Sequence, residues 1–408
     1  MPRAMNAAFE EDDEDEEEEE KEDDVIRPAI RRMTAEQQAA YQQRWRDEIF
    51  KMRKVDELYK RGDFPVGKEL KYMIGNVRSD REFNEEKIAF DESMKSIFDK
   101  YRRAGETHRK VRNYVKNWLR PGMTTLEVCA RIEAAARHLV NFTLPDTRAT
   151  SPALLSLNEC VMNYTPEMNE EYYLRREDML KVDIGLCVYG KSIKPIFTVN
   201  FDKDYDPMID STKEALEAGI KAAGVDVSLY DIKTAMSEVI DNAEFEIRGR
   251  QVVPKFIQTV LFATSEQCIR DGRMIQNKRG GSVHQKIEEN EVYEIACAVS
   301  TGNRRVREDT AVNSRLFQLR VNEKEEKLSD NLMNLRNQID RQFGTYKFCG
   351  RQLSLKPNDD RIVNLFKQKV IDTYPPQYDA AGSFTSMFSH TVIFRPTVKE
   401  IVTAGDDY

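Results

Sequence analysis

The sequence predicts an α/β domain made from one helix-helix-strand unit used twice, with two antiparallel sheets facing each other beneath paired helices. The first observation behind this is a repeat. A helix, the turn RPGMTTLEV, the helix CARIEAAARHLV and then strands are followed by STKEALEAGIKAAG, the turn VDVSLYDI, the helix KTAMSEVIDNA and more strands. Two copies are too few for a solenoid, so the halves pack as one pseudo-symmetric domain with a cleft between its sheets. The second observation is a break in the pattern. From Val321 to about Asp379 the chain reads as two short helices, LSDNLMNLRNQIDRQF and DDRIVNLFKQKVI, with little strand signal between them, which marks an insert. The third is the alternation in SFTSMFSHTVIFRPT, a strand pair that returns to the sheet at the end of the chain.

Taken in order, the chain opens with residues 1–24, in which positions 10–24 hold 14 acids and one lysine. Such a run cannot pack and is expected to be a disordered acidic tail, either solubilising or in contact with a basic partner or the chain's own basic face. It accounts for the net charge of −8, since from Val25 onward 57 acids stand against 61 Lys and Arg. Residues 25–82 hold an amphipathic helix, TAEQQAAYQQRWRDEIFKMRKVDELYK, and the connector RGDFPVGKELKY. A Thr34 to Gln37 capping box opens the helix, and Trp45, Ile49, Phe50 and Met52 are its candidate packing residues. The repeated domain occupies residues 83–408, its first helix running to the stop signal Arg120-Pro121-Gly122.

Between the two helix pairs lies KVDIGLCVYGKSIKPIFTV, a hairpin with apolar alternation on either side of a Tyr-Gly-Lys-Ser turn. One strand carries Asp183 and the other Lys194, where a divalent-metal site would want a second carboxylate. Lys194 has two readings. It pairs with Asp183, or it turns outward to solvent and leaves Asp183 to hydrogen bonds. The six cysteines, Cys129, Cys160, Cys187, Cys268, Cys297 and Cys349, are scattered with no CxxC pair and read as buried thiols in a reducing compartment. No run of about 18 apolar residues occurs, so no membrane contact, a cytoplasmic location and a monomer are expected.

The segments FPVGKEL, AGETHRKVRNYVKNWLRPGMTTLEVCARIE, LSLNECVMNYTP, KVDIG, GKSIKPIFTVNF, NEVYEI, STG and YPPQYDAAGSFTSMFSHTVIFRPT closely resemble the type 2 methionine aminopeptidases, in one order from about Val55 to Tyr408. The resemblance implies the pita-bread fold of that family and reads the break near residues 321–379 as its type 2 helical insert. It also implies a reaction run by two divalent ions, held by two aspartates, a histidine and two glutamates. Asp183 matches the first aspartate, but the second falls on Lys194, the histidine near Phe262, and the glutamates on Ala296 and Ser389. Two pocket histidines fall on Asn163 and Arg270, while His390 matches its counterpart and reads as a structural residue.

On that resemblance the chain is a pseudo-peptidase with no metal cofactor, acting by binding rather than as an enzyme. Glu294 lies two residues before Ala296, a step of roughly 6 to 7 Å along a strand, and reads as an ion-paired or solvated residue rather than a substitute ligand. Metal-free relatives of the same fold sit on the large ribosomal subunit near the tunnel exit. A ribosome partner is therefore expected, through Lys100, Arg102, Arg103, Arg109, Lys110, Arg112, Lys116 and Arg120, with Lys278, Arg279, Arg304, Arg305 and Arg307 as further candidates. A solvated helix face is the plainer reading of the first group. The alternative functions are a metal-dependent aminopeptidase removing N-terminal Met from nascent chains and a scaffold for translation initiation factors.

Overall fold

The computed structural model describes residues 35–60, 62–72, 81–168, 170–257, 261–263, 286–310, 313–320 and 328–407. The acidic run, Thr34, Cys268, Arg270, Lys278, Arg279 and the side chain of Phe262 lie outside the described residues. Helix α1 (Ala35–Lys51) docks through Trp45 and Ile49 against Ala135, while Phe50 remains 69% exposed. Strand β1 (Lys68–Leu70) follows and pairs antiparallel with the last strand of the chain.

The repeat is visible in the helix pairs and in their caps. Helix α2 (Glu85–Trp118) is followed by α3 (Thr125–Val140), and Thr124 Oγ1 accepts the Glu127 amide at the start of α3. Three-stranded pairing comes next, with β2 (Leu154–Leu157), β3 (Met179–Asp183) and β4 (Ile196–Asn200) in the order β2-β3-β4. The second pair is α4 (Asp206–Ala222) and α5 (Leu229–Asp241), and Ser228 Oγ accepts the Asp231 amide at the start of α5. A hydroxyl cap satisfies an otherwise orphaned amide at the same place in both units, so each turn stops and restarts a helix in the same way.

Strands β5 (Lys255–Phe256), β6 (Leu261–Ala263), β7 (Val292–Ser300), β8 (Thr385–Phe394) and β9 (Lys399–Ile401) build the second sheet, in which β1, β9, β8 and β7 lie side by side. Every residue of β7 and β8 is buried. One continuous apolar core runs through both halves, from Val111, Ile132 and Val182 to Leu216, Met236, Ile295 and Val392. Burial of apolar surface on this scale is the main force holding the halves together.

The halves also meet edge to edge. Thr198 Oγ1 on β4 donates to the Met387 carbonyl and accepts the Met387 amide on β8, both at 2.8 Å. At Gly105, midway along α2, a Cβ would sit 2.2 Å from the Val402 carbonyl oxygen, so only glycine lets this helix lie on the chain after β9.

Between the two helices of the insert lies one strand of two residues, Lys347–Phe348. Helices Asp330–Phe343 and Asp360–Lys367 pack on a three-stranded sheet of Phe317–Leu319, Lys347–Phe348 and Ile371–Thr373. Strands of two or three residues are too short to show an alternating pattern in sequence. Leu319, Leu335, Ile339, Phe348, Leu365 and Ile371 give this unit its own apolar cluster.

Candidate functional site

The β3 strand ends at Asp183, opposite Leu154 and Ile196, and the link to β4 passes through Lys194. Lys194 Nζ lies 2.9 Å from Asp183 Oδ2, which decides between the two readings of this lysine in favour of the pair. Asp183 is 5% exposed, and its Oδ1 has no hydrogen-bond partner among the described residues. Burial pushes the carboxyl up, and the nearby Lys194 and Lys347 charges pull it back. Lys347 is half-buried, with its Nζ 3.7 Å from the centre of the Tyr374 ring. Burial pushes this ammonium down to about 7, helped by the Lys194 charge and opposed by Asp183.

Ala296 and Ser389 face each other across β7 and β8. The Ala296 methyl packs with Val161, Met162, Ile196, Ile257, Ala298 and Met387, so an apolar cluster occupies this part of the cleft. Ser389 Oγ accepts the Ile196 amide at 2.8 Å and donates to Glu294 Oε1 at 2.5 Å. Thr391 Oγ1 and the Lys194 amide donate to Glu294 Oε2 at 2.8 and 3.3 Å.

Glu294 is therefore neither solvated nor ion-paired among the described residues. It is 2% exposed and held by three donors. Its Cα is one two-residue step from Ala296, and its carboxylate is bonded both by Thr391 directly opposite and by Ser389, the diagonal neighbour that faces Ala296. Burial pushes its carboxyl up to about 7, opposed by Ser389, Thr391 and the Lys194 amide and reinforced by the Asp183 charge. A signal was present in the sequence: Glu294 is the one acid in the apolar run VYEIACAVS.

The other pocket positions are scattered. Asn163 sits in the left-handed region at φ 67° and donates to the Pro375 carbonyl at 3.4 Å. His390 points to the opposite face of β8 from Ser389, with Nδ1 2.9 Å from Thr403 Oγ1. Burial and the Arg112 charge push it down to about 3, which keeps the ring neutral. Phe262 pairs through its backbone with Glu294. Among the described residues no group of three or more His, Cys, Asp or Glu is arranged to hold a metal ion. A two-ion centre does not fit these residues, because an ammonium neutralises Asp183 and the Ala296 and Ser389 positions offer no anion.

The sequence profile of the metallopeptidase family M24 matches residues 99–307. The chain is 34% identical over 364 residues to methionine aminopeptidase 2-2 of Aspergillus terreus, covering 87% of this chain and 81% of that one. It is also 34% identical over 363 residues to methionine aminopeptidase 2 of Neurospora crassa, covering 87% and 82%. The chain belongs to the metallopeptidase family M24. Among solved structures, a thermophilic Arx1 is similar with TM-score 0.62 and 15% identity, covering 77% of this chain and 92% of that one. The methionine aminopeptidase of Rickettsia prowazekii is similar with TM-score 0.51 and 13% identity, covering 76% and 98%. At those identities the two structures speak for the fold alone, and the fold is the pita-bread fold.

The basic stretch of α2 in this M24 chain is not the exposed face that was expected. Arg102 is buried and grips Glu400 with two bonds of 2.7 and 2.8 Å. Arg103 is buried against Asp56. Arg109 donates to Glu106 and to the Val402 carbonyl. Arg112 is 0% exposed and grips Asp407 with two bonds of 2.5 Å. Lys110 lies 3.6 Å from Glu106, Lys116 2.8 Å from Asp407, and Lys100 is half-buried. Arg102, Arg109 and Arg112 hold the end of the chain against α2 by charge-assisted bonds, a structural task that competes with an RNA phosphate, while Arg120 beyond the helix is exposed. Cys129, Cys160, Cys187, Cys297 and Cys349 are buried and free, and among the described residues no helix is long and apolar enough to cross a membrane.

Proposed function

We propose that this M24 chain is a non-catalytic methionine aminopeptidase-like protein that acts by binding, with no metal cofactor, as part of the translation machinery. The observation that carries the reading is the 2.9 Å contact of Lys194 Nζ with Asp183 Oδ2. An ammonium in that place repels a divalent ion over a few ångströms, and the carboxylate nearby, Glu294, is committed to three donors among the described residues. His390 is held neutral on the far face of its strand, so among the described residues it does not serve this spot as a base.

The test is elemental analysis of the purified protein together with turnover of a Met-Ala-Ser peptide. We expect less than one manganese, cobalt, iron or zinc per chain and no cleavage. About two metals per chain, with turnover abolished by Asp183→Ala, would refute it. The ribosome as partner rests on the family resemblance. Co-sedimentation with large subunits at graded salt is its test, and wild-type protein that never pellets would remove it.

A further inference from the structure

With Arg102, Arg103, Arg109 and Arg112 of α2 buried or paired, a second group of cations is exposed elsewhere on the chain. After β7 ends at Ser300, a loop carries Arg304, Arg305 and Arg307, all exposed, and Lys255 on the neighbouring β5 is exposed beside them. Lys255 lies opposite Ser300 in the sheet, and its Nζ donates to the Gly302 carbonyl at 2.8 Å. The three guanidinium groups make no ion pair among the described residues, in contrast to Arg102, Arg103, Arg112, Arg351 and Arg395.

The loop that presents them is built, not loose. Buried Asp379 Oδ2 accepts Ser300 Oγ at 2.5 Å and the Arg304 amide at 3.0 Å, and Ser300 Oγ in turn accepts the Gly302 amide at 2.8 Å. The Arg305 amide is taken by Asn303 Oδ1 at 2.8 Å. On the far side, Arg307 pairs in register with Tyr378, and Val306 packs into the apolar cluster around Ala296. The loop backbone is thus held by its own bonds, and four cationic residues are exposed on it and beside it.

We infer that this patch is a docking surface for the chain's own acidic run, residues 10–24. That run carries 14 carboxylates; the linker 25–34 spans about 35 Å when extended and the far end of the run about 85 Å. A folded body of this size has a radius of gyration of about 21 Å, so part of the run reaches most of its surface. Tethering raises the run's local concentration to the millimolar range, which favours it over a freely diffusing acidic partner. The attraction is between exposed charges and is screened by salt. The inference is independent of whether the cleft or the ribosome reading holds.

The test is zero-length carbodiimide cross-linking of the full chain, read by mass spectrometry, which joins carboxylates to lysine amines. Peptides from residues 10–24 should link to Lys255 at low salt, with the yield falling at least five-fold in 0.5 M NaCl. The same loss is expected at low salt in Arg304→Gln/Arg305→Gln/Arg307→Gln, whose melting temperature serves as the folding check. If that variant does not fold, the salt series on wild type decides. Removing residues 1–24 should raise affinity for a 20-base-pair RNA duplex at low salt several-fold. Links spread evenly over surface lysines, or a yield indifferent to salt and to the triple variant, would overturn the inference. Equal RNA affinity with and without residues 1–24 would also overturn it, and would mark the patch as open to RNA.

Discussion

Replacing Lys194 with methionine keeps the stem of the side chain and removes the charge that answers Asp183. A carboxylate that is 5% exposed, with Oδ1 unpartnered among the described residues, then loses its ion pair with Lys194. It has one escape, which is to take a proton. At pH 7 that escape costs 1.36 kcal/mol for each unit above the ordinary carboxyl value of 3.8, so the loss of stability is capped at about 4 kcal/mol. At pH 5 the same cap is about 1.5 kcal/mol. The Lys347 charge offers partial compensation, which puts the expected loss at pH 7 at about 2 to 4 kcal/mol. Urea unfolding of wild type and Lys194→Met at pH 5, 6 and 7 should show a difference that grows with pH. Asp183→Asn in the Lys194→Met background should recover most of it, since a neutral amide needs no counter-charge. A loss below about 0.5 kcal/mol at pH 7, or one equal at pH 5 and pH 7, would refute the pairing as a stabilising contact.

Glu294 predicts the opposite sign for part of the pH profile. Its folded value is raised from 4.5 to about 7, so its contribution is fully present below pH 4.5 and is lost as pH rises through 7, about 3 kcal/mol in all. Glu294→Gln should therefore stabilise the chain relative to wild type more at pH 8 than at pH 4.5, measured by urea midpoints, and an equal effect at both would contradict the raised value. Lys194→Asp should gain neither metal by elemental analysis nor peptide turnover, because the positions at Ala296 and Ser389 still supply no carboxylate. Gly105→Ala should cost about 3 kcal/mol in thermal or urea unfolding, since its new methyl meets a backbone oxygen that cannot turn away. Asp407→Ala, which strands a fully buried Arg112, should cost about 3 kcal/mol, and an unchanged melting temperature would show that the fork contributes nothing.

The duplicated architecture was readable because it rests on local signals: helical periods, the Thr124 and Ser228 caps, and the uninterrupted apolar strand at Val292–Ser300. The fate of the α2 arginines was not, because their partners Glu400 and Asp407 lie nearly 300 positions away in the chain. A run of arginines looks the same on a helical wheel whether it faces water or a returning strand. Lys194 sat between the two cases. Its place on the returning arm of the hairpin that carries Asp183 was readable, but the choice between pairing and solvent needed the geometry. Glu294 was misjudged because spacing along a strand locates Cα atoms, whereas its carboxylate is located by donors on two other segments.

The bonds around Glu294 join the amides of Lys194 and Ile196, in the first half of the domain, to the strands of the second half. Every component of that tie is covalently part of the chain. A tie made by bound ions strengthens with the logarithm of ion concentration and can be stripped by a chelator. These hydrogen bonds need no ion, so a chelator leaves this tie between the two halves in place.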